Sequence, residues 1–237
     1  FPNTRTSAET MIPSKGWPKE AGYIYNGMVA PLTSFAIAGA LWYQGESNRH
    51  YPSTYYQLMH LMVDTWRGAW QKDFPFYYVQ IAPYNYRDTT DFKAPAVREM
   101  QTRAMDIPKS GMAVITDLVD DLNNIHPAYK KEVGNRLAGW ALAETYGQKI
   151  GNYKSPQYKS LQVEGNKAIL SFDFAESGLA AKGGPLTEFE VAGADRELGR
   201  PLAIVLGDIV DFRFAAGHVG KAETDIPGRR QVVAQVR

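Results

Sequence analysis

The sequence predicts an α/β fold built on a parallel sheet, followed by a smaller β-rich module. Two observations carry this expectation. Between residues 37 and 147, short apolar runs alternate with longer stretches of helical periodicity, the order that produces parallel strands joined by right-handed crossovers. Beyond residue 151 that periodicity stops, and short strand-like runs separated by turn residues take over.

Residues 1–22 hold three Pro and two Gly with little periodicity, and read as an irregular lead-in. The chain opens Phe1-Pro2-Asn3 with neither an initiator Met nor a secretion signal, so it is expected to be a piece of something longer. The run from Ile37 to Tyr43 is apolar on both faces and bounded by Gly45, which suits a buried parallel strand. A helix is expected from Ser53, as N-cap, to Trp66, with Tyr56, Met59, Leu61, Met62, Val63 and Trp66 on its apolar face. A second strand is expected over Phe76–Ile81. A helix over Ala96–Met105 should stop before Pro108, and a third strand should follow over Met112–Thr116. A last helix should span Lys130–Tyr146 and end at Gly147, with Val133, Leu137, Trp140, Ala141 and Ala143 inward.

The stretch from Gly151 to Pro156 reads as a linker. Leu161–Val163 and Ala168–Phe172 flank the turn residues 164–167 as a hairpin, and Glu188–Ala192, Leu202–Leu206, Ile209–Phe214 and Gln231–Val236 are further short strands. The division expected is therefore 1–150 and 151–237.

A chain of 237 residues can bury a substantial core, and 44% hydrophobic with 22% charged residues is ordinary for a globular protein. The 26 basic and 25 acidic residues are interspersed, so the basic stripe of a nucleic-acid-binding protein is missing. No apolar run reaches the roughly 18 residues of a membrane-spanning helix. With no cysteines, disulfides and Cys-based metal sites are excluded. Aromatics make up 12%, which fits either a carbohydrate-facing surface or a Tyr-rich core.

In parallel α/β sheets ligands bind at the carboxyl ends of the strands. Two polar clusters fall there, Gln44-Gly45-Glu46-Ser47-Asn48 and the segment from Asp117 to His126. The Gln44 amide and the Gly45 N–H are two donors able to stabilise an oxyanion, and glycine lets the backbone approach a ligand closely. Glu46 can orient its neighbours, and Gln44, Gly45, Glu46 and Asn48 form the oxyanion and substrate-binding set. The plainer alternative is a polar turn that caps the following helix. Gly45-Glu46-Ser47 has the start of the nucleophile elbow G-x-S-x-G, but Arg49 stands where its last Gly belongs, so Ser47 is a poor nucleophile.

His126 lies just before a helix and follows Asp117, Asp120 and Asp121. A base that activates a serine needs a group to hold its tautomer and stabilise the imidazolium. The alternative is a histidine at a helix start bonded to backbone. His50, His60 and His218 have no such acidic company in sequence, and His60, inside a helix, reads as structural. Arg67 is expected to clamp a carboxylate, to pair with Glu46, or to make a structural salt bridge. Neither metal-ligand spacing nor a Gly-rich phosphate loop occurs, so no metal or cofactor is expected.

The segments Tyr25–Leu32, Gly39–Asn48, Trp66-Arg67, Ile125-His126-Pro127 with Lys130, and Val133–Ala138, taken in order, resemble the sialate O-acetylesterase family of SGNH hydrolases. The resemblance covers residues 23–147; the module after 151 is similar more loosely, and the segment from about Gly199 does not follow the family pattern. It implies a three-layer α/β fold and removal of acetyl groups from sugar hydroxyls, sialic acid above all, by a Ser nucleophile and a His base without metal or cofactor. His126 matches the family histidine, and Gln44 and Gly45 match its oxyanion loop. The family serine lies in a Gly-Gln-Ser-Asn block upstream of Tyr25-Asn26-Gly27-Met28. Ser7, Ser14 and Ser34 have no such context, so the resemblance implies a serine outside this chain, on an upstream segment or a separate chain. Relatives often carry Asp two positions before the histidine, where this chain has Asn124, and Asn123 fills the D-x-x-H spacing. The acidic member is then Asp117, Asp120 or Asp121, with Asp121 assigned beside His126, or the site is a Ser–His dyad oriented by an amide or carbonyl. A glycan esterase fits a secreted, periplasmic or lysosome-like compartment. The competing expectations are a non-catalytic carbohydrate-binding or scaffold fragment and an acetyl-xylan esterase of the same superfamily.

Overall fold

A computed structural model describes residues 22–86, 93–164, 167–175, 186–189, 202–206 and 210–213. The chain divides into two compact units, Phe1–Tyr153 and Lys154–Arg237.

In the first unit, β1 (Ala40–Trp42), β2 (Phe76–Val79) and β3 (Ser110–Ala113) form a parallel sheet in the order β1-β2-β3. Ala40 lies beside Phe76, and Phe76 beside Ser110. The helices α1 (Pro52–Trp70) and α2 (Lys93–Arg103) connect the strands, and α3 (Lys130–Trp140) follows β3. The strand–helix alternation expected from the sequence is thus realised as a parallel sheet with helices on both faces.

The two faces follow from the period of two along a strand. In β2, Phe76 and Tyr78 point into a core with Tyr55, Met59 and Val63 of α1 and Val97 of α2. Tyr77 and Val79 point the other way, against Val133, Leu137 and Trp140 of α3. All four β2 residues are buried, as expected of a central parallel strand. Gly111 of β3 is a contact requirement: a Cβ there would lie 2.3 Å from the Trp140 ring. That ring also stacks on Tyr77 at 6.0 Å and donates from Nε1 to the Met112 carbonyl.

Several boundaries differ from expectation. β1 is three residues long rather than seven, and Leu41 at its centre is 62% exposed. Ala40 and Trp42 pack on the core, but β1 is the sheet edge among the described residues, so its second face is uncovered. α1 starts at Pro52, whose fixed φ suits a first helical position, and its N-cap is Tyr51 rather than Ser53. It runs to Trp70, where the indole Nε1 donates to the Phe35 carbonyl, and it ends on Gln71 in the left-handed conformation. Leu61 was expected inward and is 50% exposed; Tyr55 takes an inward place instead. The β2–β3 register ends at Val79 opposite Ala113, with the Gln80 N–H still donating to the Ala113 carbonyl, and the Ile81 N–H donates to the Gln101 side chain rather than to a strand. α3 gives way after Trp140 to a π-turn, Ala141–Thr145, and the chain turns at Gly147 with φ 66°, the stop its sequence predicts.

At the amino ends of the strands Arg67 is a staple. Its Nε and Nη2 donate to the Phe74 carbonyl and Nη2 to the Pro108 carbonyl, and it pairs with Asp73 at 3.2 Å. This is the structural salt bridge among the alternatives for Arg67, not a pair with Glu46.

The second unit is a five-stranded antiparallel sheet in the order β4-β5-β8-β7-β6. Its strands are β4 (Gln157–Glu164), β5 (Lys167–Asp173), β6 (Leu186–Phe189), β7 (Leu202–Leu206) and β8 (Val210–Arg213). β4 and β5 are the expected hairpin, with Glu164 opposite Lys167. β6 begins earlier than the strand expected at Glu188. The strand expected at Gln231–Val236 and the lead-in over residues 1–21 lie outside the described residues.

Candidate active site

β1 delivers the chain into Tyr43-Gln44-Gly45, and a 3-10 turn, Glu46–His50, carries it to α1. Gly45 has φ 151°, a conformation essentially closed to residues with a Cβ. A Cβ there would also meet Ile81 Cγ2 at 2.8 Å and Gln101 Nε2 at 3.2 Å. Its carbonyl accepts the Asn48 N–H at 3.0 Å, while none of the described residues accepts the Gly45 N–H. The Gln44 Nε2 donates to Asn48 Oδ1 at 2.7 Å, so these two side chains hold each other. The Gln44 carbonyl accepts from Tyr55 Oη at 3.0 Å and from Gln101 Nε2 at 3.4 Å.

Glu46 places negative charge among tyrosines. Burial first, and the Glu46 charge second, push the Tyr43 hydroxyl up to about 12 and raise that of Tyr86. Burial likewise takes Tyr55 up to about 12, despite its hydrogen bonds, with Glu46 a lesser contributor. These phenols therefore stay neutral donors at neutral pH. The Arg49 guanidinium lies 4.3 Å over the Tyr86 ring.

The second loop leaves β3 through a 3-10 turn, Thr116–Leu118, and reaches His126. Pro127 behind it is buried, and the His126 side chain is exposed. The His126 N–H donates to Asn124 Oδ1 at 2.9 Å, a local turn in which asparagine folds onto the backbone of the histidine. Asp121 Oδ1 accepts from the Asn123 N–H at 2.8 Å and from Asn123 Nδ2 at 3.2 Å. No hydrogen bond joins any aspartate to the His126 ring among the described residues. Asp117 is held by both arms of the Arg136 guanidinium, each at 2.6 Å, and Arg136 also donates to the Val114 carbonyl.

Two contacts bring the loops together. The Asn85 N–H, after β2, donates to the Leu122 carbonyl at 2.7 Å. Lys130 Nζ, four residues beyond His126, lies 4.8 Å over the Tyr43 ring, next to Gln44. β2 separates β1 from β3, so two strand spacings, about 10 Å, set the scale between the two loops. Ser47 is exposed on the 3-10 turn.

Sequence reasoning missed Gln101 and Tyr55. Gln101 had a signal, being a polar residue in line with Ala94 and Val97 on the buried stripe of α2. His60 does have acidic company, contrary to expectation: Nε2 lies 2.8 Å from Asp106 Oδ1, a partner distant in sequence.

Three parallel strands between two helix layers, with polar loops gathered at the carboxyl edge, make the first unit an SGNH-like α/β fold. Residues 6–146 match the family model described as carbohydrate esterase, sialic acid-specific acetylesterase, and the chain belongs to that family. It is 30% identical to a sialate O-acetylesterase of Mus musculus over 175 residues, covering 66% of this chain and 32% of that protein. The Homo sapiens sialate O-acetylesterase is 29% identical, covering 66% of this chain and 34% of the relative. The chain thus spans about a third of the length of these relatives. A solved carbohydrate acetylesterase from Xanthomonas citri superposes with a TM-score of 0.75 at 33% identity, covering 81% of this chain and 46% of that one.

Proposed function

We propose that this chain supplies the base and oxyanion-binding half of a serine carbohydrate O-acetylesterase, with the serine outside it. The observation that carries the reading is the unspent Gly45 N–H at the carboxyl edge of a sheet whose next loop presents an exposed histidine, both within the residues the family model matches. The serine Oγ attacks the acetyl carbonyl carbon while His126 takes its proton. The negative charge that develops on the carbonyl oxygen is met by the Gly45 N–H and the Gln44 amide, donors typically worth about 3 kcal/mol each. The C–O bond to the sugar breaks, and the sugar oxygen leaves with the proton from His126. Water, deprotonated by His126, then attacks the acetyl-serine and releases acetate. Asp121 is assigned as the acidic orienter of His126. Because Asp121 bonds to Asn123 in this structure, that role requires its side chain to turn when substrate or the serine segment arrives. Glu46 and Asn48 shape the substrate side of the loop, residues 1–150 forming the esterase part and 151–237 an accessory β-rich module.

The proposed substrate is an O-acetylated sialic acid, the sugar named in the family description and in the mammalian relatives. A substrate panel tests this: faster turnover of acetyl-xylan than of O-acetyl sialic acids would replace the sugar while leaving the chemistry. A secreted, periplasmic or lysosome-like location suits such substrates, and among the described residues no helix is long and apolar enough to cross a membrane. The chemistry is tested with His126→Ala in the full-length protein. Loss of the base should lower aryl-acetate kcat by about 10³-fold or more; turnover near wild type would sink the assignment.

A further inference from the structure

In a trans peptide unit the C=O and N–H point in opposite directions. Whatever grips the Gln44 carbonyl therefore also aims the Gly45 N–H. Two buried donors grip it, Tyr55 Oη at 3.0 Å and Gln101 Nε2 at 3.4 Å, both from the core side. Gln101 is fully buried, yet every polar atom of its amide is engaged. Its Oε1 accepts the Ile81 N–H at 2.9 Å, and its Nε2 also reaches the Val79 carbonyl at 3.3 Å and Tyr55 Oη at 3.4 Å. Because Ile81 offers a donor, the oxygen of the amide must face it and the NH2 must face the two carbonyls, which leaves one orientation. The end of β2 thereby fixes Gln101, and Gln101 with Tyr55 fixes the peptide that leaves β1. Gly45 is needed for this, since any Cβ would strike Ile81 and the Gln101 amide.

We propose that Gln101, together with Tyr55, is a positioning residue that holds the Gln44 carbonyl in the core and so directs the Gly45 N–H outward at the developing oxyanion. This rests on the esterase reading above for its catalytic consequence, but the aim of the peptide is a physical property measurable without catalysis. Neither residue touches substrate; each acts through the Gln44–Gly45 peptide.

Two variants and two readouts test it. Gln101→Met keeps the volume and removes the amide, and Tyr55→Phe removes only a hydroxyl, so it serves where the first does not fold. In the first readout, the Gly45 amide resonance of the labelled chain is expected to move and its hydrogen exchange to change in either variant, with resonances on α3 in place. A Gly45 amide unchanged in a folded variant overturns the proposal whether or not the protein is an esterase. In the second, kinetics of the full-length protein on an aryl acetate below its unfolding temperature should show kcat reduced about 10-fold with KM little altered, because a misaimed donor weakens transition-state binding alone. A lowered Tm with kcat unchanged would reduce both residues to core packing and overturn the proposal. A wild type without acetylesterase activity sinks the esterase reading instead, and the resonance data still decide whether Gln101 sets the peptide.

Discussion

At Gly45 a side chain has neither room nor a permitted backbone angle. Gly45→Ala combines a φ of 151° with a Cβ 2.8 Å from Ile81 Cγ2, and both neighbours that would have to yield, Ile81 and Gln101, are fully buried. Strain and overpacking of this kind together cost about 3 kcal/mol. Urea unfolding of the variant should report a loss of that order, and a loss below about 0.5 kcal/mol, the scale of ordinary surface substitutions, would mean the loop relaxes freely. At this scale the sequence was informative where chemistry and backbone coincide. Gln44-Gly45 could be picked out because glycine after an apolar run is a specific local signal. The grip on its carbonyl could not, because Tyr55 and Gln101 come from two different helices and meet only in the folded core. The same limit explains Asp117: its spacing before His126 made it a candidate partner, but Arg136, from α3, holds it in a bidentate pair.

The elements are tied by polar pins as well as by the core. Asp106, just after α2, accepts from Tyr56 Oη and pairs with His60 at 2.8 Å, both on α1. Partial burial pushes the Asp106 carboxyl up, but the hydrogen bonds from Tyr56 and His60 and the His60 charge outweigh it, and the net shift is downward. A carboxyl depressed in the folded state contributes stability above its unfolded pKa of about 3.9, and that contribution disappears as pH falls through the lower folded value. Asp106→Asn should therefore unfold at lower temperature than wild type near neutral pH, with the difference closing in acid. A difference that stays constant from about pH 7 to about pH 3 would show that the pin does not depend on the charge. Helix existence is legible from periodicity, since α1, α2 and α3 all form, and so are the start of α3 at Lys130 and the turn at Gly147, but the ends of α1 and the start of α2 are not. Residues 67–70 extend α1, and Trp70 at its end donates to the Phe35 carbonyl, a partner distant in sequence. That contact is tertiary. In the first unit the strands are shorter than their apolar runs, because apolar composition marks where a chain is buried whereas pairing stops where the partner does; β4 and β5 of the hairpin are instead longer than expected, and β7 matches.

For the whole molecule, the proposed mechanism turns on a nucleophile that must come within reach of His126. β1 ends the sheet among the described residues and leaves Leu41 exposed at the centre of a strand that its sequence would bury. The residues that would hold base and oxyanion donors lie at the carboxyl edge of this sheet. Of the serines near them, Ser47 sits on an exposed 3-10 turn with no histidine hydrogen-bonded to it among the described residues. Acyl transfer by this route requires a nucleophile within hydrogen-bond reach of its base. The chain taken alone is therefore expected to show no acetylesterase turnover. It should gain activity when the upstream polypeptide bearing a Gly-Gln-Ser-Asn block is supplied, in the same chain or in trans. That gain should vanish when His126 is replaced by Ala and when the serine of the block is replaced by Ala. Hydrolysis of an aryl acetate by purified 1–237, measured by chromophore release, decides the matter. Robust turnover that disappears in Ser47→Ala would transfer the nucleophile to the turn after Gly45 and make the site self-contained. Turnover that survives Ser47→Ala would instead require a nucleophile that neither the loop after β1 nor an upstream block provides.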